Sequence, residues 1–172
     1  GAGVIPVLDW EPANPGNIGW AKTWLDTVAA HWGTKPLIYM SANTLSAGDW
    51  TAVANADYGL WVAGYPRGYA GERLRDPGSV PYSVAPWGFA AAWQYSSSGY
   101  VPGVGSQVDV DWFYGDAVTW AKYANAPIST VTHPAAPSKP ASVPATQTST
   151  TPTGDANTIA TAVIEGLYGN NP

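Results

Sequence analysis

The sequence predicts an α/β domain, built as a parallel sheet or barrel, over roughly its first 125 residues. Two observations predict this fold class. Short, unbroken apolar runs recur along this part of the chain, as in strands that are covered on both faces. A helical stripe separates the first two runs, and strand, helix and strand within about 40 residues indicate a parallel βαβ unit.

The first strand is expected at residues 4–9, where "VIPVLD" is apolar up to its last residue. A helix is expected at 17–32, because its apolar side chains share one stripe and Gly33 follows as a stop. The serines at 96–98 are expected in a turn. The remaining elements are four strands and a closing helix, expected at 36–41, 59–65, 89–95, 107–113 and 115–124.

Composition changes at residue 126. Residues 126–154 are rich in Pro, Ser, Thr and Ala and contain no Trp, Tyr or Phe, which predicts a disordered linker with polyproline character. Residues 155–172 then predict one short helix, because Ile159, Val163 and Leu167 share a face.

Charge and composition exclude several classes of protein. The formal net charge is −5 and the seven Lys and Arg residues are scattered, so we expect no nucleic-acid partner. No apolar run approaches the roughly 20 residues that span a membrane, so we expect no membrane partner either. The chain has no Cys, hence no disulfide framework. It begins at Gly1 without a signal-like stretch, so we expect any targeting peptide to lie outside it.

Two carboxylates stand one residue apart where the first strand ends. Asp9 and Glu11 should point to the same face, because side chains i and i+2 of a strand do so. The charge of Asp9 should raise the pKa of Glu11 and keep it protonated near neutral pH. Cleavage of a glycosidic bond needs such a general acid. The alternative is that these acids cap the next helix or pair with a lysine.

Aromatic residues are unusually abundant, with ten Trp and ten Tyr against two Phe. Flat rings with a polar edge stack on sugars, although most of these rings could equally fill a core. Acids, Tyr, Trp and Gln gather at the carboxyl ends of the predicted strands, which is where barrel enzymes place their chemistry. The sequence therefore predicts a sugar-sized cleft at this end.

A second acidic pair lies in the last strand. Asp109 and Asp111 should share a face by alternation. "DVDWFYG" is a poor calcium loop, since Phe113 stands at the fifth position and the expected glycine is absent. His31 ends a helix and His133 lies in the predicted linker, so neither indicates a zinc site or a catalytic triad.

Four stretches resemble glycoside hydrolase family 25, the N-acetylmuramidase lysozymes of phage lysins and bacterial wall hydrolases. They are "PVLDWE", "KPLIYMS", "LWVAGY" and above all "AAWQYSSSGYVPGVGSQVDVDWF". The resemblance implies an irregular TIM-like β/α barrel that hydrolyses the β-1,4 bond between N-acetylmuramic acid and N-acetylglucosamine. It implies no metal or other cofactor, bacterial peptidoglycan as the partner, and a monomer released to the bacterial cell wall.

By motif, Glu11 matches the family's general acid, Asp9 its acidic companion and Asp109 the acid at the end of the last strand. We favour assistance by the substrate's own N-acetyl group, because Asp9 and Glu11 share one strand instead of flanking the bond. Asp111 falls where the family often has Asn. The substrate contacts that we expect are Tyr39, Trp61, Tyr65, Trp93, Gln94 and Asp111.

The family pattern also contains a first strand with a further acid, well upstream of the D-x-E, and a barrel needs eight strands whereas five are predicted here. We therefore expect residues 1–125 to be a muramidase domain without its N-terminal strands. Residues 126–154 would be a linker and 155–172 the start of a short cell-wall-binding repeat. Two rival functions remain, a non-catalytic glycan-binding protein and a barrel enzyme with magnesium on Asp9, Glu11 and Asp109.

Overall fold

A computed structural model describes residues 3–12, 14–69 and 74–125 of the chain. The chain divides into two units, Gly1–Ile128 and Ser129–Pro172, and all described residues belong to the first. The linker predicted at 126–154 and the helix predicted at 155–172 therefore lie outside the described residues.

The described residues form a five-stranded sheet in the order β1-β2-β3-β4-β5, with helices between its strands. The strands are β1 Val7–Asp9, β2 Leu37–Ser41, β3 Gly59–Ala63, β4 Ala92–Gly99 and β5 Val108–Phe113. The helices are α1 Ile18–Trp32, α2 Ala42–Ala47, α3 Thr51–Asn55 and α4 Ala117–Tyr123. The predicted α/β class and its five strands are confirmed, and α2 and α3 are additions. Within the described residues the barrel is not closed, because β1 and β5 each pair on one side only.

Helix α1 forms where the sequence predicts it, and both ends have a local cause. The side chain of Asn17 accepts a hydrogen bond from the backbone N–H of Trp20 at 3.0 Å, which caps the first turn. Gly33 ends the helix in the left-handed conformation, with φ 66°. Ala21 and Leu25 are fully buried, so the predicted apolar stripe is confirmed at its centre.

The sheet has two faces of different character. One face packs against α1 and forms the main core, which includes Ile38 of β2, Leu60 of β3 and Trp93 of β4. The other face carries a small apolar cluster around Leu37 and polar side chains further along the strands. Because alternate residues of a strand point to opposite faces, Tyr39 lies on this second face.

The last strand runs antiparallel to β4, whereas β1 to β4 are all parallel. Residues 100–107 are too few for the crossover of a dozen or more residues that a parallel pair requires. The pairing of Ser96 with Val110 and Gly99 with Val108 extends β4 through the serines. The prediction that serines 96–98 lie in a turn is therefore wrong, because this backbone pairing overrides their weak strand preference.

The packing of α1 on the sheet gives a stability test. We expect Leu25→Ala to lower the free energy of unfolding by about 2–5 kcal/mol, because it leaves a cavity under a fully buried side chain. Thr23→Ala, on the exposed side of the same helix, is the control and should change stability by no more than about 0.5 kcal/mol. Urea unfolding measures both, and equal losses in the two variants would contradict this packing.

Candidate active site

Two acids lie at the end of β1, one as its last residue and one just after it. Trp10 is buried, and its indole N–H donates to the carbonyl of Pro15 at 2.9 Å. Its backbone N–H donates to the carbonyl of Tyr39 at 2.9 Å, so β1 stays paired with β2 past its last residue. Asp9 and Glu11, on either side of this anchor, are both exposed to solvent.

The centre of the site is the side-chain amide of Gln94, which is buried in β4. The Tyr39 hydroxyl donates to its oxygen Oε1 at 3.0 Å, and the Tyr65 hydroxyl donates to the same oxygen. Tyr39 comes from β2 and Tyr65 from the segment after β3, so one amide joins three neighbouring parts of the sheet edge.

The electrostatics of Tyr39 show which acids lie near it. Burial is the largest cause of the raised pKa of this phenol, and the neighbouring Tyr65 comes second. Glu11, Asp9 and Asp109 raise this pKa further through their negative charges. The acids predicted from the two edge strands of the sheet therefore all act on one tyrosine through their charges.

Asp111 is held more tightly than the other acids. The indole N–H of Trp61 donates to its Oδ1 at 2.8 Å, and the amide of Gln94 is a further hydrogen-bond partner. Burial raises the pKa of Asp111 to about 6, these two hydrogen bonds oppose the rise, and the charge of Asp109 adds to it. We call this whole set, which lies at one edge of the sheet, the carboxylate face: Asp9, Glu11, Tyr39, Trp61, Tyr65, Gln94, Asp109 and Asp111.

Trp93 is the predicted substrate contact that does not join the carboxylate face. Its side chain is fully buried in the main core, on the opposite side of β4 from Gln94. Its indole N–H donates to the carbonyl of Gly64 at 2.9 Å, which fixes the chain just before Tyr65. Trp93 therefore packs and positions the backbone, and the prediction that it lines the pocket is wrong.

Asp109 reaches the carboxylate face by a different route from the one predicted. It lies near the start of β5, not at the end of the strand. Because β5 is antiparallel, its amino end adjoins the carboxyl ends of the other strands. Asp109 therefore lies at the predicted edge of the sheet. The predicted reason, that Asp109 ends its strand, is wrong, because β5 runs antiparallel and Asp109 lies near its start.

Sequence reasoning missed the contact between Gly64 and Tyr82. A Cβ at position 64 would lie 2.8 Å from Cζ of Tyr82, so only glycine fits without displacing this ring. The backbone N–H of Gly64 also donates to the carbonyl of Gln94 at 3.1 Å. These contacts set the direction in which Tyr65 leaves β3. The glycine before Tyr65 is the only feature of the sequence that could have indicated this contact.

A cavity of about 570 Å³ lies elsewhere, near the start of β3. Its lining includes Lys35, Trp87, Phe89 and a single carboxylate, that of Asp57. Asp57 is paired with Lys35 at 3.0 Å, so this cavity offers no pair of free acids. On the carboxylate face, by comparison, three acids are exposed to solvent, namely Asp9, Glu11 and Asp109.

Two further observations concern the described part of the chain only. Its helices are all too short or too polar to cross a membrane. In the same residues, no three His, Cys, Asp or Glu side chains are grouped so that they could share a metal ion.

Fold and site together define a class of protein. An α/β sheet with acids, tyrosines and a tryptophan at the carboxyl edge of its parallel strands is typical of glycoside hydrolases. Residues 2–104 match the family described as Glycosyl hydrolases family 25. The chain belongs to this family, which confirms the resemblance read from its motifs. No curated protein sequence matches the chain.

Three solved structures to which the chain is similar come from different sources. The spore cortex lytic enzyme SleM of Clostridium perfringens is 23% identical, with a TM-score of 0.53, over 67% of this chain and 38% of its own. A lysozyme from Streptomyces coelicolor is 21% identical (TM-score 0.46, 70% and 55%). The catalytic domain of endolysin ply40 from bacteriophage P40 of Listeria monocytogenes is 24% identical (TM-score 0.44, 68% and 52%). The likeness to SleM shows the fold alone, and the chain spans between 38% and 55% of the length of these three proteins.

The raised pKa of Asp111 predicts how stability depends on pH. Between about pH 4 and about pH 6 the folded chain binds more protons at this carboxyl than the unfolded chain does, so its ionisation lowers stability as pH rises. Asp111→Asn removes this titration. We expect the stability of the wild type relative to this variant to be higher at about pH 4.5 than at about pH 7.

Urea unfolding of the two proteins at both pH values measures the effect. Titrating groups that do not interact with Asp111 are shared, so they cancel in the difference between the proteins. A difference that is the same at both pH values, or larger at the higher one, would contradict the burial of this carboxyl.

Proposed function

We propose that the chain is a peptidoglycan hydrolase that cleaves the β-1,4 bond between N-acetylmuramic acid and N-acetylglucosamine. The observation that carries the proposal is the convergence of Asp9, Glu11 and Asp109 on Tyr39 in a chain of glycosyl hydrolases family 25. Since the chain spans only part of the length of the solved structures, the activity of this chain by itself is included in the proposal.

Glu11 is the general acid in this scheme. It lies on the open side of the sheet, where a bound glycan can reach it, and it protonates the oxygen of the leaving sugar. Asp9, the last residue of β1, lies two residues earlier and is exposed as well. Asp9 orients the substrate's own N-acetyl group, whose carbonyl oxygen attacks the anomeric carbon as the bond to the leaving sugar breaks.

The remaining groups of the carboxylate face bind and orient the glycan. Tyr65 has an exposed ring that can contact a sugar, and Tyr39 and Trp61 lie edge to face with ring centroids 5.1 Å apart. Asp109 supplies negative charge near the positive charge that develops on the sugar ring. We further propose that residues 126–172 tether this domain to the bacterial wall, which would raise its local concentration there.

A second candidate function is a non-catalytic glycan-binding domain. It is favoured by one observation, that the sheet is open at β1 and β5 in the described residues, so the barrel is not closed there. The two functions differ in what replacement of the Glu11 carboxyl should do.

The first functional test is Glu11→Gln. We expect it to abolish the release of reducing ends from purified peptidoglycan, with a loss of at least about 100-fold, because no proton reaches the leaving oxygen. Binding to the same peptidoglycan in a sedimentation assay should remain. Asp57→Asn makes the equivalent carboxyl-to-amide exchange at the far cavity and should leave turnover unaltered.

The outcomes separate the two functions. Turnover that is lost in Glu11→Gln, with binding retained, supports the hydrolase. Binding without turnover in the wild type itself would establish the glycan-binding alternative for this chain.

The second functional test is metal removal. We expect the release of reducing ends to be unchanged after dialysis against EDTA, because the acids act here on protons and on the substrate directly. Addition of Mg²⁺ to the dialysed protein is the control. Activity that is lost in EDTA and restored by Mg²⁺ would favour the magnesium enzyme in which Asp9, Glu11 and Asp109 are metal ligands.

A further inference from the structure

The carboxylate face contains a chain of hydrogen bonds whose direction is fixed at one end. Gln94 presents one acceptor, Oε1, and one donor group, Nε2. The hydroxyls of Tyr39 and Tyr65 both contact the oxygen. Asp111 lies directly opposite Gln94 in the pairing of β4 with β5, and its carboxylate is a hydrogen-bond partner of the amide.

Asp111 determines which way the amide points. An ionised carboxylate can only accept hydrogen bonds, and Oδ1 of Asp111 already accepts one from the indole of Trp61 at 2.8 Å. The group of Gln94 that faces this carboxylate must therefore be the donor, Nε2. Its oxygen is then turned towards the two tyrosines, and both hydroxyls donate to it.

We propose that Asp111 is a positioning residue that acts through Gln94 to hold the hydroxyls of Tyr39 and Tyr65 as donors towards the protein, so that their oxygens accept hydrogen bonds from the glycan. This inference rests on the proposed function of the carboxylate face. It names the complementary chemistry on the substrate, namely the N–H of an acetamido group or a sugar hydroxyl. A carboxylate or carbonyl oxygen of the substrate has no donor to meet at these two positions.

Protonation of Asp111 releases this arrangement. A neutral carboxyl has a donor of its own, so Gln94 can turn its oxygen towards it and its N–H groups towards the tyrosines. Burial raises the pKa of Asp111 to about 6, which places this change within reach of an assay. Among the described residues, Asp109 acts on the carboxyl through its charge, and the phenol of Tyr65 senses the charge of Asp111 in turn.

Asp111→Asn tests the proposal in the full 172-residue chain. The new amide keeps one acceptor for Trp61 but turns a donor towards Gln94. Gln94 then turns its oxygen towards this donor and its N–H groups towards the tyrosines, so donors and acceptors change places along the network. We expect kcat/KM for peptidoglycan to fall by about tenfold or more, since hydrogen bonds to the substrate are lost at both tyrosines. We also expect kcat/KM of the wild type to decline below about pH 6 and this decline to be absent from Asp111→Asn.

A second substitution should rescue the first. In Asp111→Asn combined with Gln94→Glu, the carboxylate at position 94 accepts from the new amide and from both tyrosines, so the original polarity returns at the same net charge. We expect the double variant to recover most of the lost kcat/KM. The matched control is Asp57→Asn combined with Gln107→Glu, which makes the same two exchanges outside the network and should leave kcat/KM unaltered.

The tyrosines give an independent check that does not depend on the rescue. In a Tyr39→Phe, Tyr65→Phe background, Asp111→Asn should have no further effect on kcat/KM, because no hydroxyl remains to be oriented. Thermal unfolding followed by circular dichroism verifies that each variant is folded. An equal loss in both backgrounds, or a double variant no better than Asp111→Asn alone, would overturn the proposal.

Failure of the proposal and failure of the proposed function give different results. A wild type that releases reducing ends, with no effect of Asp111→Asn and no change in the pH profile, overturns the proposal and leaves the hydrolase intact. A wild type without turnover overturns the hydrolase. The proposal is then judged by calorimetric binding of a soluble tetrasaccharide of alternating N-acetylglucosamine and N-acetylmuramic acid, which Asp111→Asn should weaken and the double variant restore. No binding by the wild type overturns both.

Discussion

The structure depends on the buried amide of Gln94, because this one side chain connects β2, the segment after β3, and β5. Its oxygen takes the hydroxyls of Tyr39 and Tyr65, and its nitrogen faces Asp111. A buried amide is costly unless each of its polar groups has a partner, so the satisfied network also stabilises one arrangement of these strands. The same interactions that hold the sheet edge together thus determine what it can offer a ligand.

The direction of β5 is the second constraint on the site. A parallel β5 would carry Asp109 and Asp111 to the other edge, whereas the antiparallel strand brings them beside Gln94. The pKa of Asp111 is raised because this placement buries its carboxyl, which disfavours the ionised form. Ionisation of Asp111 lowers the stability of the fold, yet the ionised form is the one that orients the amide of Gln94. Such a conflict between stability and function is expected at a functional site.

Sequence patterns predicted the parts of the site that follow from strand alternation. Strand alternation predicts one face for Asp9 and Glu11, and both side chains are exposed to solvent although β1 ends at Asp9. Trp93 was placed wrongly because the apolar run before it has no alternation, so nothing in the sequence tells which of Trp93 and Gln94 faces the core.

Other features could not be predicted because they depend on contacts between distant parts of the chain. The serines at 96–98 become strand residues only by pairing with β5, and Gly64 is required only because the ring of Tyr82 packs against it. The direction of the last strand follows from the length of one loop, which a barrel-based expectation overlooked. Local patterns therefore indicate where the acids lie along the chain, whereas the pairing of distant strands determines which of them become neighbours.

The most direct test of where this protein acts uses two tryptophans as reporters. The indole N–H of Trp61 is bonded to Asp111 on the carboxylate face, whereas that of Trp87 is bonded to the carbonyl of Tyr58 beside the far cavity. We predict that a soluble peptidoglycan fragment, titrated into ¹⁵N-labelled protein, shifts the NMR signal of the Trp61 indole and leaves that of Trp87 in place. A shift at Trp87 with Trp61 unmoved would contradict the assignment of function to the carboxylate face.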